Sequence, residues 1–170
     1  MHILLYLTPV ILFLLLRKKK PMPEQNKYRI EKTLKEISEI FGTDVTKNVE
    51  KIYRLETRNF SSGQFLKTYS AGMESHSKNF PYGWTSLKKF WTEQPHHKPV
   101  GKVDMKDAIG MKSFLKFPSL FSAMFPLAFM LQKRGNDVGT WFSNDEAQRQ
   151  HYRNLISKMP STITDKIKKS

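Results

Sequence analysis

The stretch Thr46-Lys-Asn-Val-Glu-Lys-Ile-Tyr-Arg-Leu-Glu-Thr-Arg-Asn-Phe60 decides the reading of this chain. With Val45 before it, its apolar residues fall at Val45, Val49, Ile52 and Tyr53, the spacing of one helical face. The spacing predicts a helix over 46–60. Glu56 stands at +4 from Ile52, +7 from Val49 and +11 from Val45, so it points where the core points. Desolvation on an apolar face raises the pKa of a carboxyl group. A carboxyl still protonated near neutral pH can deliver a proton to a leaving oxygen, as the general acid of a glycosidase does. The plainer alternative is a helix end at which Glu56 turns to solvent or pairs with Arg54 or Arg58.

Outward from this helix the pattern is mainly α. Residues 28–41 carry Ile30, Leu34, Ile37, Ile40 and Phe41 at helical spacing, stopped by Gly42. Thr43 or Asp44 can cap the helix of Glu56. A short helix is expected at 64–68. Residues 70–118 hold four of the eight glycines and four of the nine prolines and read as a small irregular lobe, with a short helix at 84–91 and a hairpin within 100–117. Residues 119–134 are apolar nearly all round, which marks the buried central helix of a small domain. As a second membrane span they would be too short, and Pro126 interrupts them. Gly135 ends that helix. Ser143-Asn-Asp-Glu146 reads as a capping box for a last helix reaching about Lys158, with Tyr152, Leu155, Ile156 and Met159 inward.

The 170 residues suffice for one domain with a core. They contain no cysteine, which excludes disulfides and thiolate metal sites. Net charge is +14, from 29 basic and 15 acidic residues. Such a surface seeks anions: nucleic acid, anionic lipid or an acidic wall polymer. The charge is spread rather than striped, so no specific nucleic acid is expected. Residues 3–16 are uncharged and Arg17-Lys-Lys-Lys20 follows at once. The run is shorter than the roughly 20 residues of a usual span, but no cleavage-site pattern follows it. It reads as an uncleaved, single-pass N-terminal anchor, in a cell envelope or a virion membrane. The expected organisation is an anchor at 1–20, a linker at 21–27, a folded domain at 28–160 and a basic tail at 161–170.

Other constellations carry less chemistry. His76, His96 and His97 lack the spacing of a zinc helix and read as structural or solvent-exposed, so no metal or cofactor is expected. Ser61, Ser62 and Ser70 near His76 lie outside any G-x-S-x-G elbow. The segment 135–139 is a turn without the Lys-Ser/Thr of a phosphate loop. Tyr82, Trp84, Phe90 and Trp91 form an aromatic cluster suited to packing the small lobe, one or two of them being placed to stack on sugar.

Three stretches lie in series: Leu55–Phe65 with Gly72-Met73, Phe114–Phe117 with Ser119, Ala123 and Leu127, and Trp141–Asp145 with Tyr152 and Leu155. Together they resemble the glucosaminidase-type peptidoglycan hydrolases of the lysozyme-like superfamily, in a compact form found in bacteria and their viruses. Leu55-Glu-Thr-Arg-Asn-Phe-Ser-Ser-Gly-Gln-Phe65 with Gly72-Met73 is similar to the family's glutamate-[ST]-x-x-F-x-S run and later FG[IM]. Phe114-Leu-Lys-Phe117 with Ser119, Ala123 and Leu127 resembles the lead-in to its central helix. Trp141-Phe-Ser-Asn-Asp145 with Tyr152 and Leu155 resembles its YATDPxYAxxL ending, with Trp141 in place of the first tyrosine. The resemblance covers residues 45–159. It implies an α+β lysozyme-like fold, cleavage of β-1,4 bonds of the peptidoglycan glycan strand as glucosaminidase, muramidase or lytic transglycosylase, Glu56 as the general acid, and Tyr69, Trp141 and Tyr152 as substrate-binding residues. The second acid stays open among Glu74, Glu93, Asp104 and Asp107; its distance from Glu56 would separate retaining from inverting chemistry. A non-catalytic, basic, membrane-anchored structural or virion protein, binding nucleic acid or anionic lipid, is the alternative. The charge after the apolar run favours it, because that charge places the domain on the cytoplasmic side.

Overall fold

The computed structural model describes residues 24–73, 88–106, 110–143 and 145–161. The anchor proposed for 1–20 lies outside the described residues, as does nearly all of the basic tail. Helix α1 spans Glu24–Phe41 and buries Ile30, Thr33, Leu34, Ile37 and Phe41. It begins within the stretch expected to be linker, so residues 24–27 are helical; Glu24 in its first turn complements the helix dipole. Ile40 is exposed, because it lies at the edge of the stripe centred on Ile37 and Phe41. Gly42, at φ 83°, ends α1 by donating to the Ser38 carbonyl (2.9 Å). The same glycine starts α2, Thr43–Glu56, where its carbonyl accepts from the backbone N–H and the hydroxyl of Thr46.

Val45, Val49, Ile52 and Tyr53 of α2 are buried, as their spacing requires. The helix stops at Glu56, four residues before the expected end at Phe60. Arg58, Asn59 and Phe60 have φ of 49°, 61° and 61°, so the chain reverses hand for three residues. A short helix α3, Gly63–Thr68, follows, capped by the Ser62 side chain, which accepts from the Phe65 N–H. Residues 88–93 form α4, and Pro95–His97 make one 3-10 turn. Of the expected helix at 84–91, residues 84–87 lie outside the described part.

Strands β1 (Gly101–Lys106) and β2 (Met111–Lys116) pair antiparallel, Gly101 opposite Lys116 and Lys106 opposite Met111. This is the hairpin expected within 100–117. The central helix α5, Leu120–Lys133, is capped by Ser119 and buried along most of its length. It packs against α1 and α2 and forms, with them, the main core around Leu34, Ile37, Val49, Ile52, Met124 and Leu127. A second, smaller cluster of Met73, Trp91, Phe117 and Ala123 joins the hairpin side to α5.

Gly135, at φ 66°, ends α5. Helix α6 is Gly139–Phe142 and α7 is Glu146–Ser157. The α7 cap is Asp145, whose carboxylate accepts from Gln148 N–H, rather than Ser143 as in the expected capping box; the Ser143 hydroxyl instead accepts from the Asp145 N–H. Ile156 is the buried residue of α7, and Leu155 faces out. Asp137 binds Arg153 through both carboxylate oxygens (2.9 and 2.7 Å), and this pairing holds its carboxyl below the usual range. No helix among the described residues is long and apolar enough to cross a membrane, α5 included.

Candidate active site

The site is built by the left-handed turn that follows α2. Thr57 is fully buried and stitches the turn together. Its hydroxyl donates to the Tyr53 carbonyl and accepts from the Phe60 N–H (2.8 Å), while its own carbonyl accepts from Ser61 and Ser62 N–H (both 2.9 Å). Phe60 reaches the core by this route and packs on Tyr53 and Phe65. The turn leaves Glu56 as the last helical residue, at the point where the chain departs from its axis.

Glu56 is open to solvent, yet the protein packed around its carboxyl raises the pKa to about 7. Loss of hydration is the main cause; the nearby Lys112 ammonium acts in the opposite direction. The side chain is thus reachable from outside and poorly hydrated on its protein side. Gly72 lies beside it: its φ is 84°, and a Cβ there would stand 3.5 Å from Glu56 Oε2. The loop carrying Gly72 is fixed at both ends. Met73 N–H donates to Ser70 Oγ (2.8 Å), the Met73 carbonyl accepts from Leu115 N–H of β2 (2.9 Å), and Thr68 accepts from Phe117 N–H (3.1 Å). The buried Tyr53 hydroxyl sits at the Ala71 N–H, which ties the loop back to α2; burial raises the Tyr53 pKa.

Arg54 is committed elsewhere. Its guanidinium binds Glu50 (2.8 and 2.7 Å) and donates to Asn59 Oδ1. Glu50 is fully buried and also accepts from the Ser161 hydroxyl (2.9 Å). A structural ion pair thus lies one turn behind Glu56, and it absorbs the arginine that could otherwise have neutralised Glu56.

The other sequence-predicted residues divide as follows. Tyr69 is half-buried at φ 59°, three residues before Gly72, and with Trp141 it packs at the seam between the two hydrophobic clusters. Tyr152 stacks on Phe142 (3.8 Å between ring centres), so that face of its ring is already occupied. Asp104 is exposed on β1 and accepts from the Ser113 hydroxyl across the hairpin. The register places Asp104 with Ser113 on one face and Lys112 with Met105 on the other, so the strand residue whose charge reaches Glu56 is a lysine. Glu93 is exposed and pairs loosely with Lys89 at 3.9 Å. Glu74, Asp107 and His76 lie outside the described residues. His97 is held by the Ser122 hydroxyl (2.9 Å) among Phe90, Phe121 and His96, and burial lowers its pKa.

Lys112, the neighbouring charge, carries no signal in the sequence; Thr57, the stitch of the turn, and Gly72, beside the carboxyl, are marked only through the resemblance, in the Leu55–Phe65 run and the Gly72-Met73 pair. Comparison with protein-family models, with curated proteins and with solved structures returned no match.

Proposed function

We propose that the protein is a peptidoglycan hydrolase that cleaves β-1,4 glycosidic bonds of the glycan strand with Glu56 as general acid. The observation that supports this most is the state of Glu56: solvent-reachable, against Gly72, with its pKa raised to about 7. Below that pH the carboxyl holds the proton that a departing sugar oxygen needs. Lys112 contributes to the transfer, because a cation stabilises the carboxylate that remains after the proton leaves. The motif residues shared with glucosaminidase-type hydrolases also have physical work here: Thr57 stitches the turn, Phe60 anchors it, Ser62 caps α3 and Gly72 lies against the carboxyl.

Among the described residues the charge beside Glu56 on the hairpin is a cation, which leaves the second acid to Glu74 or Asp107; without either, the chemistry is led by a single acid. Water attack would leave a reducing end, and internal attack by the sugar's own hydroxyl would leave an anhydro end, as in lytic transglycosylases. The net charge of +14 suits a protein working against an anionic wall. Digestion of purified sacculi with the full chain, followed by mass spectrometry of the soluble fragments, tests the proposal. New reducing or anhydro ends on sugars support it. Intact glycan strands after prolonged incubation with folded protein would exclude it.

A further inference from the structure

A cavity of about 420 Å³ lies between α1 and the segment 118–121, with Tyr69 in its lining. Its floor is one face of α1, with Arg29, Lys32, Thr33 and Glu36 at i, i+3, i+4 and i+7. Its opposite wall is Tyr69, Ser119 and Phe121. A volume of this size suits a ligand of a few residues rather than a water or an ion.

The charges in this groove are arranged for a partner. Arg29 Nη1 donates to the Tyr69 hydroxyl (3.3 Å), and among the described residues no carboxylate lies within ion-pair range of Arg29 or Lys32. Two adjacent cations of this kind match a carboxylate, which an arginine can grip with two parallel bonds. Glu36 stands about 6 Å further along the helix axis than Lys32, at 1.5 Å per residue, and suits an ammonium or amide N–H. Tyr69 and Phe121 give the body of the ligand an apolar wall. Carboxylate, N–H donor and apolar body together describe a short peptide.

We infer that this groove binds a short peptide with a free carboxylate. On the peptidoglycan reading above, on which this assignment of the natural ligand rests, that peptide is the stem that hangs from the glycan strand. Tyr69 and Gly72 are three residues apart, no more than about 11 Å of backbone. A peptide held at Tyr69 is therefore anchored close to a glycan bond presented to Glu56, and the protein selects strands whose stems end in a free carboxylate.

The test is calorimetric titration of the full chain with a synthetic stem tetrapeptide bearing a free C-terminal carboxylate, and separately with its C-terminal amide. The acid should bind about tenfold or more tightly than the amide, the size of one charge-assisted hydrogen bond. The double variant Arg29→Gln/Lys32→Gln, altered only at exposed side chains, should lose a similar factor for the acid and little for the amide. Glu56→Gln should bind the acid as the wild type does. Equal binding of acid and amide, no binding of either at millimolar concentration, or an unaffected double variant would overturn the inference. Peptide binding by a protein that leaves sacculi intact would refute the hydrolase reading and keep the site; hydrolysis without peptide binding would do the reverse.

Discussion

Thr57→Val should unfold the architecture around Glu56 before it unfolds the protein. Valine is nearly the same shape, so the substitution removes one hydroxyl and little volume. That hydroxyl is fully buried and is the acceptor for the Phe60 N–H. The Tyr53 carbonyl keeps the Thr57 backbone N–H (2.9 Å) as a partner, so the group left without one is the Phe60 N–H. An unsatisfied buried donor costs about 1–3 kcal/mol. The turn has little to spare, since a left-handed conformation costs an L-residue about 1–2 kcal/mol and Arg58, Asn59 and Phe60 all adopt one. A loss of about 2 kcal/mol corresponds to a fall in Tm of about 4–8 °C for a domain of this size. The stronger effect should fall on chemistry. Once the turn relaxes, Glu56 loses its place beside Gly72 and regains water, its pKa falls toward the ordinary value, and the upper limb of the pH–rate profile moves to lower pH. Thermal unfolding and sacculus turbidity across pH are the assays. As a control, Arg58→Gly places the residue that best tolerates φ 49° at an exposed position, and it should leave Tm unchanged or raised. A Thr57→Val protein with wild-type Tm and an unmoved pH limb would refute this account of the turn.

Gly72→Ala should cost about 1–2 kcal/mol, because φ 84° is unfavourable for alanine, and should lower activity further by shifting the loop against Glu56; full activity with an unchanged Tm would count against the role of Gly72 beside the carboxyl. Glu50→Ala should destabilise by about 3 kcal/mol, since it leaves the Arg54 guanidinium without its buried partner; urea unfolding reads this directly, and a change under about 0.5 kcal/mol, the usual bound for a surface substitution, contradicts it. Residues 1–20 should keep the protein in the membrane fraction on carbonate extraction; intact protein recovered wholly in the soluble fraction would show that they do not anchor it.

The helical core was readable because burial on one helical face leaves a period. Leu34, Ile37, Val49 and Ile52 are all fully buried, as their spacing required, and Gly42 and Gly135 stop their helices through positive φ. The end of α2 was not readable for an instructive reason. Phe60 lies at +4 from Glu56 and +7 from Tyr53, so the apolar period runs on past the true end. The residue is indeed buried, but it arrives through a left-handed turn that the period cannot distinguish from another turn of α-helix. Glu56 was singled out from spacing alone, and its raised pKa agrees with that reading, although its side chain is exposed where the spacing pointed inward. The rest of the site depends on pairings between distant parts of the chain. Lys112 reaches Glu56 only through the β1–β2 register and the bonds from β2 to residues 68–73, and no local pattern encodes that register.

The most direct test of the central claim is the initial rate of glycan-end release from sacculi by wild type and Glu56→Gln, from about pH 5 to about pH 9. The wild-type rate should hold at low pH and fall through about 7, because the raised pKa means the proton is present below that value and lost above it. Glu56→Gln, with wild-type unfolding, should be slower by about 10² to 10⁴ at every pH, the usual contribution of a general acid. A well-folded Glu56→Gln protein that works at the wild-type rate, or a wild-type rate that keeps rising to the alkaline end, would contradict the account.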